Sequence, residues 1–207
     1  VLAGPCLAAP PEPLHPATLQ TKCANANLGF AVAKQIDSCN ALLAAPDTPA
    51  ADRVSILMQL GDAYLRSMQY ERALSTFNAA IRLSPQSGAA FGGRGKAYHA
   101  RDEYYQAIAD FDYALKLDQS LDLYADRGAA LVKVGKPEDA AADFTRALAL
   151  RPDNAPLLAQ RGVEFFKAGN PGQAEADLER ALSLEPDLAR HPVYGPFIAE
   201  FVRPNRR

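Results

Sequence analysis

Tryptophan is absent from this chain, and methionine occurs twice and cysteine three times in 207 residues. No apolar run approaches the ~20 residues that a membrane-spanning helix requires, so no segment reads as a span. A surplus of one charge is missing too. The 22 basic residues face 24 acidic ones, a net charge of −2, which argues against a dedicated nucleic-acid binder. Motifs that carry chemistry are equally scarce. His15, His99 and His191 are far apart, and there is no Cys-x-x-Cys, no His-Glu-x-x-His and no phosphate-binding loop. Asp110 and Asp112 lie two residues apart, which on a helix turns them to different faces. The glycine-rich run Phe91-Gly92-Gly93-Arg94-Gly95 follows no strand signal. From these absences we expect no catalytic residue, no cofactor, no metal site and no enzymatic activity.

What the chain has is a repeat. Residues 54–87 carry Gly61, Tyr64, Ala73, Phe77, Ala80 and Pro85. The pattern returns as Gly95, Tyr98, Ala107, Phe111 and Ala114. It returns again as Gly128, Leu131, Ala140, Phe144, Ala147 and Pro152, and last as Gly162, Phe165, Ala174, Leu178, Ala181 and Pro186. A period of this length signals a solenoid, each unit holding two helices of about 12 residues and their turns. A glycine inside a helix costs roughly 1 kcal/mol against alanine. Four of them at one repeat position therefore imply a shared gain, and close helix approach supplies it. Pro137 and Pro171 fit first helical positions, and Pro85, Pro152 and Pro186 fit helix stops.

These residues at this spacing resemble the tetratricopeptide repeat over four successive units. The resemblance implies an all-α, right-handed solenoid of helix-turn-helix repeats. The units span 54–87, 88–120, 121–154 and 155–187. Leu131 and Phe165 stand where the pattern has tyrosine, Leu178 where it has phenylalanine, and Gln119 where the second unit would have proline. That unit is one residue short, which predicts a tighter turn into the third. Arg94, Arg127 and Arg161 precede the repeat glycine, and Asp110, Asp143 and Asp177 precede the second-helix aromatic or Leu178. The first unit has Leu60 and Thr76 there and lacks both charges. Presence and absence go together, which predicts an Arg–Asp pair inside each of the last three units.

The ends read differently. Residues 1–17, with Pro5, Pro10, Pro11, Pro13 and Pro16, read as an extended tail. The chain does not begin with methionine, which fits a removed signal peptide. Residues 18–53 read as a capping half-repeat and linker, because the run from Gln35 to Leu43 mirrors that from Ala107 to Leu115, with Cys39 in place of Phe111. Cys23 and Cys39 are either a disulfide or two unrelated buried thiols. Resemblance to disulfide-capped tetratricopeptide proteins of bacterial cell envelopes implies the disulfide, and with it a periplasmic or secreted location. A cytoplasmic location is the alternative. Cys6 is left over. Residues 188–207 read as a C-terminal cap or tail, with Phe197, Ile198, Phe201 and Val202 on one face of a short helix and Arg203, Arg206 and Arg207 beyond it. That face either packs on the fourth unit or serves as a partner-binding hook.

By the same resemblance, first helices line a concave groove. The inner positions include Leu65, Arg66, Lys96, His99, Val132, Lys133, Phe166 and Lys167. Arg66, Lys96, Lys133 and Lys167 make a basic thread beside an apolar strip of Leu65, Val132 and Phe166. That thread is either a solvated inner face or a groove for a peptide with acidic and apolar residues. The expected function is a non-catalytic protein–protein interaction scaffold or adaptor. The alternative is a structural or assembly subunit of a larger envelope complex, held through its tails.

Overall fold

The computed structural model describes residues 16–24 and 31–202. Most of the expected Pro-rich tail, together with Cys6, His15 and the terminal arginines 203, 206 and 207, lies outside the described residues. Among the described residues all regular structure is helical. α1 (Pro16–Ala24) and α2 (Val32–Ala44) precede four helix pairs. These are α3 (Ala50–Arg66) with α4 (Tyr70–Leu83), and α5 (Gly88–Ala100) with α6 (Tyr104–Leu117). Then come α7 (Leu121–Lys133) with α8 (Pro137–Leu150), and α9 (Ala155–Lys167) with α10 (Pro171–Leu184). A 3-10 turn (Pro186–Arg190) and α11 (Gly195–Phe201) end the array. Each helix packs on the next in sequence. First helices also meet across units, α3 on α5 and α5 on α7, so the first helices form the inner side of the curve.

The repeat glycines do what their recurrence implies. A Cβ on Gly61 would stand 2.6 Å from the ring of Phe77, one on Gly95 2.8 Å from Phe111, and one on Gly128 2.6 Å from Phe144. Each of those rings is fully buried. The first helix can sit against the second-helix aromatic only because the side chain is missing there. The turn inside each unit places one residue in the left-handed region: Met68, Asp102, Gly135 and Gly169. The last two units use glycine, which takes that conformation without strain, and the first two do not. Pro137 and Pro171 begin α8 and α10. The link from α6 to α7 spans only 118–120, against 84–87 and 151–154 elsewhere, and Ser120 caps α7 by accepting from the Leu123 amide.

Three expectations shift at the edges. The helical region starts at Pro16, not after residue 17, and Cys23 lies inside that first helix. The cap is thus a two-helix hairpin, with α1 in the place of a first helix. Alanine, leucine, glutamine and lysine give that short stretch adequate helix propensity, and packing on α2 and α3 supplies the rest. The first array helix begins at Ala50 instead of Val54, with Pro49 as its N-cap. At the far end α11 is a cap: Ile198 is buried, and Phe197 meets Phe166 edge-on at 5.8 Å between ring centres.

The Arg–Asp pairs form in all three units. Arg94 donates through Nε and Nη2 to both oxygens of Asp110, each at 2.7 Å. Arg127 holds Asp143 at 2.6 Å twice, and Arg161 holds Asp177 at 2.6 and 2.7 Å. Such fork-on-fork pairs fix orientation as well as distance. The remaining nitrogen reaches into the preceding unit: Arg94 Nη1 to Asn78 Oδ1 at 2.7 Å, Arg127 Nη1 to Asp112 at 2.5 Å, and Arg161 Nη1 to Thr145 at 3.2 Å. Repeat register predicts only the contact within each unit. Every arginine in fact clamps two consecutive second helices. The Asp143 bond, and then that to Asp112, hold the Arg127 guanidinium firmly charged.

Candidate partner-binding groove

The inner face carries ion pairs both between neighbouring first helices and along one of them. Lys96 on α5 stands 3.2 Å from Asp126 Oδ2 on α7. Lys167 pairs with the buried Glu164 one turn earlier at 2.6 Å. Asp62, on α3, is pushed up in pKa by burial, with Lys96 and Arg66 acting against that rise. Arg66 Nη2 donates to Gln35 Oε1, while Gln35 Nε2 donates to the Cys23 carbonyl at 2.8 Å. Arg66, Lys96 and Lys167 thus each have a partner, and Arg66 ties α3 to the cap. Lys133 forms no ion pair among the described residues.

The expected apolar strip is not continuous. Leu65 packs on the cluster formed by the cap and first unit, and Phe166 leans on α11. Val132 and Lys133 instead join Lys167, Val163 and Tyr194 around a depression of about 220 Å³ between α7, α9 and the segment before α11. Its floor is mostly apolar, from Ala129, Val132, Val163 and the half-exposed Val193. Tyr194 and Gln160 line one side. Of the eight residues expected in the groove, three meet here.

Lys96 and His99 meet at a second, smaller depression of about 80 Å³ between α5 and α7, with Phe111, Asp126 and Ala129. His99 packs its ring edge-on to Tyr104 at 5.3 Å. Its Nε2 is buried without a hydrogen-bond partner. Asp126 Oδ2 is also buried, and the nearby Lys96 ammonium sits off the direction a hydrogen bond needs, so the contact is an ion pair by distance alone. Burial lowers the His99 pKa, against the attraction of Asp126, and burial raises that of Asp126 against Lys96. No group of three or more His, Cys, Asp or Glu side chains that could hold a metal occurs among the described residues.

Sequence reasoning missed Asp126, Gln160, Glu164, Val193 and Tyr194. The last two come from beyond the repeats, where periodicity is silent. Asp126 was findable: it takes the repeat position of Gly93 one unit earlier. A Cβ on Gly93 would lie 2.4 Å from the Phe77 ring, whereas at the next junction Asp126 lines the depression beside Phe111.

At the N-terminal end Cys23 and Cys39 form a disulfide, both fully buried. Among the described residues no helix is long and apolar enough to cross a membrane.

Comparison with known proteins bears on the whole array. The tetratricopeptide repeat family model matches residues 58–122 and 126–186, more than half of the chain. Small glutamine-rich tetratricopeptide repeat-containing protein 2 of Saccharomyces cerevisiae is 28% identical over 125 residues, 59% of this chain and 36% of that protein. Serine/threonine-protein phosphatase 5 of Homo sapiens is 29% identical over 111 residues, 51% of this chain and 22% of that protein. The chain spans about a third or less of the length of these curated relatives. A crystal structure of MamA protein superposes with a TM-score of 0.69 at 18% identity, covering 86% of this chain and 96% of that one. MamA from Desulfovibrio magneticus RS-1 superposes at 0.71 with 14% identity, covering 83% and 96%. At such identities the likeness is one of fold, a right-handed solenoid.

Proposed function

The chain belongs to the tetratricopeptide repeat family, and from that premise we propose that it is a protein–protein interaction scaffold that binds an extended partner segment along its inner groove. The observation that carries this reading is the apolar depression at Val132 and Val163, with the unpaired Lys133 on its rim. An apolar side chain would fill the floor, and an acidic neighbour would meet Lys133. Leu65 and Phe166 are already packed, so the anchor sits in the C-terminal half of the groove. The C-terminal segment spends Phe197 and Ile198 on its own packing, which leaves less of it for the hook reading. The role is non-catalytic, and the likeness to phosphatase 5 touches only 22% of that protein.

The test is a random linear 12-residue peptide display selected on the full chain and, in parallel, on Lys133→Glu. Peptides pairing an apolar residue with an acidic one are expected on the unaltered chain and lost on the variant. Equal enrichment on both, or none on either, overturns the proposal.

We infer further that the protein works in an oxidising compartment, periplasmic or extracellular, because a buried disulfide persists where thiols are not kept reduced. Intact mass before and after reduction with alkylation tests this. Free Cys23 and Cys39 in the native protein would favour the cytoplasm.

A further inference from the structure

The depression between α5 and α7 is built of polar atoms that the fold leaves unsatisfied. His99 Nε2 is buried without a partner, and Asp126 Oδ2 has a cation beside it but no directed hydrogen bond. Leaving such groups unpaired is costly, so a site of this kind is completed by water or by a ligand. The volume, about 80 Å³, admits the end of one side chain and not a whole ring system.

The electrostatics choose the chemistry. Lys96 already offsets Asp126, and burial keeps His99 in its uncharged form near neutrality. Asp62 on α3 and Lys96 attract one another, and Lys133 on α7 and Asp102 in the turn after α5 both act on His99 through their charge. Tyr104 covers its ring from α6. Asp122 acts on Asp126 from one turn earlier on α7, so the charges around the niche are mixed in sign. A second carboxylate would meet Asp126, and a second cation would meet Lys96. A neutral group that both donates and accepts avoids both conflicts.

Resting on the groove reading above, we propose that this niche is a specificity site for a side-chain carboxamide, asparagine or glutamine, of the bound partner. The amide N–H donates to Asp126 Oδ2, and the amide oxygen accepts from His99 Nε2–H. The niche lies between α5 and α7, and the apolar depression lies between α7 and α9. Packed helices stand roughly 10 Å apart. At about 3.3 Å per extended residue, the carboxamide falls about three residues from the apolar anchor.

The experiment uses a selected 12-residue peptide and a synthetic set carrying Gln, Glu, Lys or Leu at the position three residues to either side of its apolar anchor. Calorimetry is run against the full chain. Gln is expected to bind about tenfold tighter than Glu, Lys or Leu at one of the two positions. Asp126→Asn removes the negative charge and puts an N–H donor in place of one carboxylate oxygen, and it is expected to shift the preference from Gln toward Glu. His99→Phe, checked for folding by circular dichroism, is expected to level the set while the apolar anchor and Lys133 dependence persist. Peptides that bind with no preference at either position, or with one unchanged in both variants, would mean that the niche holds water only and overturn the proposal. A failure of every peptide to bind overturns the groove reading itself.

Discussion

The two ends of one mechanical problem are solved differently in this molecule. Between successive units the second helices are joined by arginine clamps, each arginine gripping its own aspartate and a polar residue one unit back. Between the cap and the first unit there is no such arginine. Leu60 and Thr76 are buried there, and Leu60 packs in the apolar cluster that includes Cys39. A disulfide joins the two cap helices, and Gln35 bridges from Cys23 to Arg66. The clamp needs a well-placed second helix on each side. Among the described residues the short end hairpin packs on the first unit alone, and a covalent link adds to that packing.

The clamps should fail hardest when halved. Asp143, whose side chain is only 1% exposed, holds both Arg127 and Arg146, and removing it leaves Arg127 with Asp112 alone. Asp143→Ala is expected to cost about 3 kcal/mol in urea unfolding, the low end for a broken buried pair because Arg127 remains one-fifth exposed. The cap should lose nearly as much from Cys23→Ala with Cys39→Ala, roughly 3 kcal/mol for a loop of that length in the chain-entropy argument. The two losses differ in place. Proteolysis at Lys22 and Lys34 should accelerate in the disulfide variant, while cleavage within α5 to α10 stays slow. Uniform acceleration along the chain would show that the cap is not an independent end.

A third variant asks whether the clamps stabilise or only orient. Arg161→Leu with Asp177→Thr copies the first unit's residues into the last. Apolar replacement of a whole buried pair is often near neutral, so unfolding free energy should stay within about 1 kcal/mol of the original. A loss as large as that of Asp143→Ala would show that the pairs carry net stability. The turns give a smaller contrast. Met68 holds a left-handed conformation that glycine holds in the last two units, and its side chain is exposed. Met68→Gly should add about 0.5–1 kcal/mol, read as a raised urea midpoint, and Asp102→Gly less, since aspartate tolerates that region better.

The smallest effect concerns pH in the groove. Burial holds the folded His99 below its ordinary value of 6.5. The unfolded chain therefore takes up the proton first as pH falls. The stability that neutral His99 contributes is complete above about 6.5 and is lost as pH drops through the lowered folded value. Against His99→Asn, the unaltered protein should lose stability faster below that point. Asp126 and Asp62, whose raised values act in the opposite sense, titrate in both proteins. Parallel pH profiles would place no proton uptake at His99.

The repeats alone determined the helix pairs, the glycine-to-aromatic contacts and the Arg–Asp partners within units. Each of these is local in register: residues at fixed offsets in identical hairpins must meet the same neighbours. The repeat mismatch also marked the cap, since Cys39 in an aromatic position needs some other hold. Tertiary structure decided what lies between units and beyond them. Arg127 on Asp112, Lys96 on Asp126 and the entry of Tyr194 into the groove depend on the angle at which one hairpin stacks on the next. That angle follows from packing volumes such as Phe77 against Gly93, summed over the whole junction. Side-chain identity at an inner position therefore fixed which charges the groove contains, and stacking fixed which of them remain open to a partner.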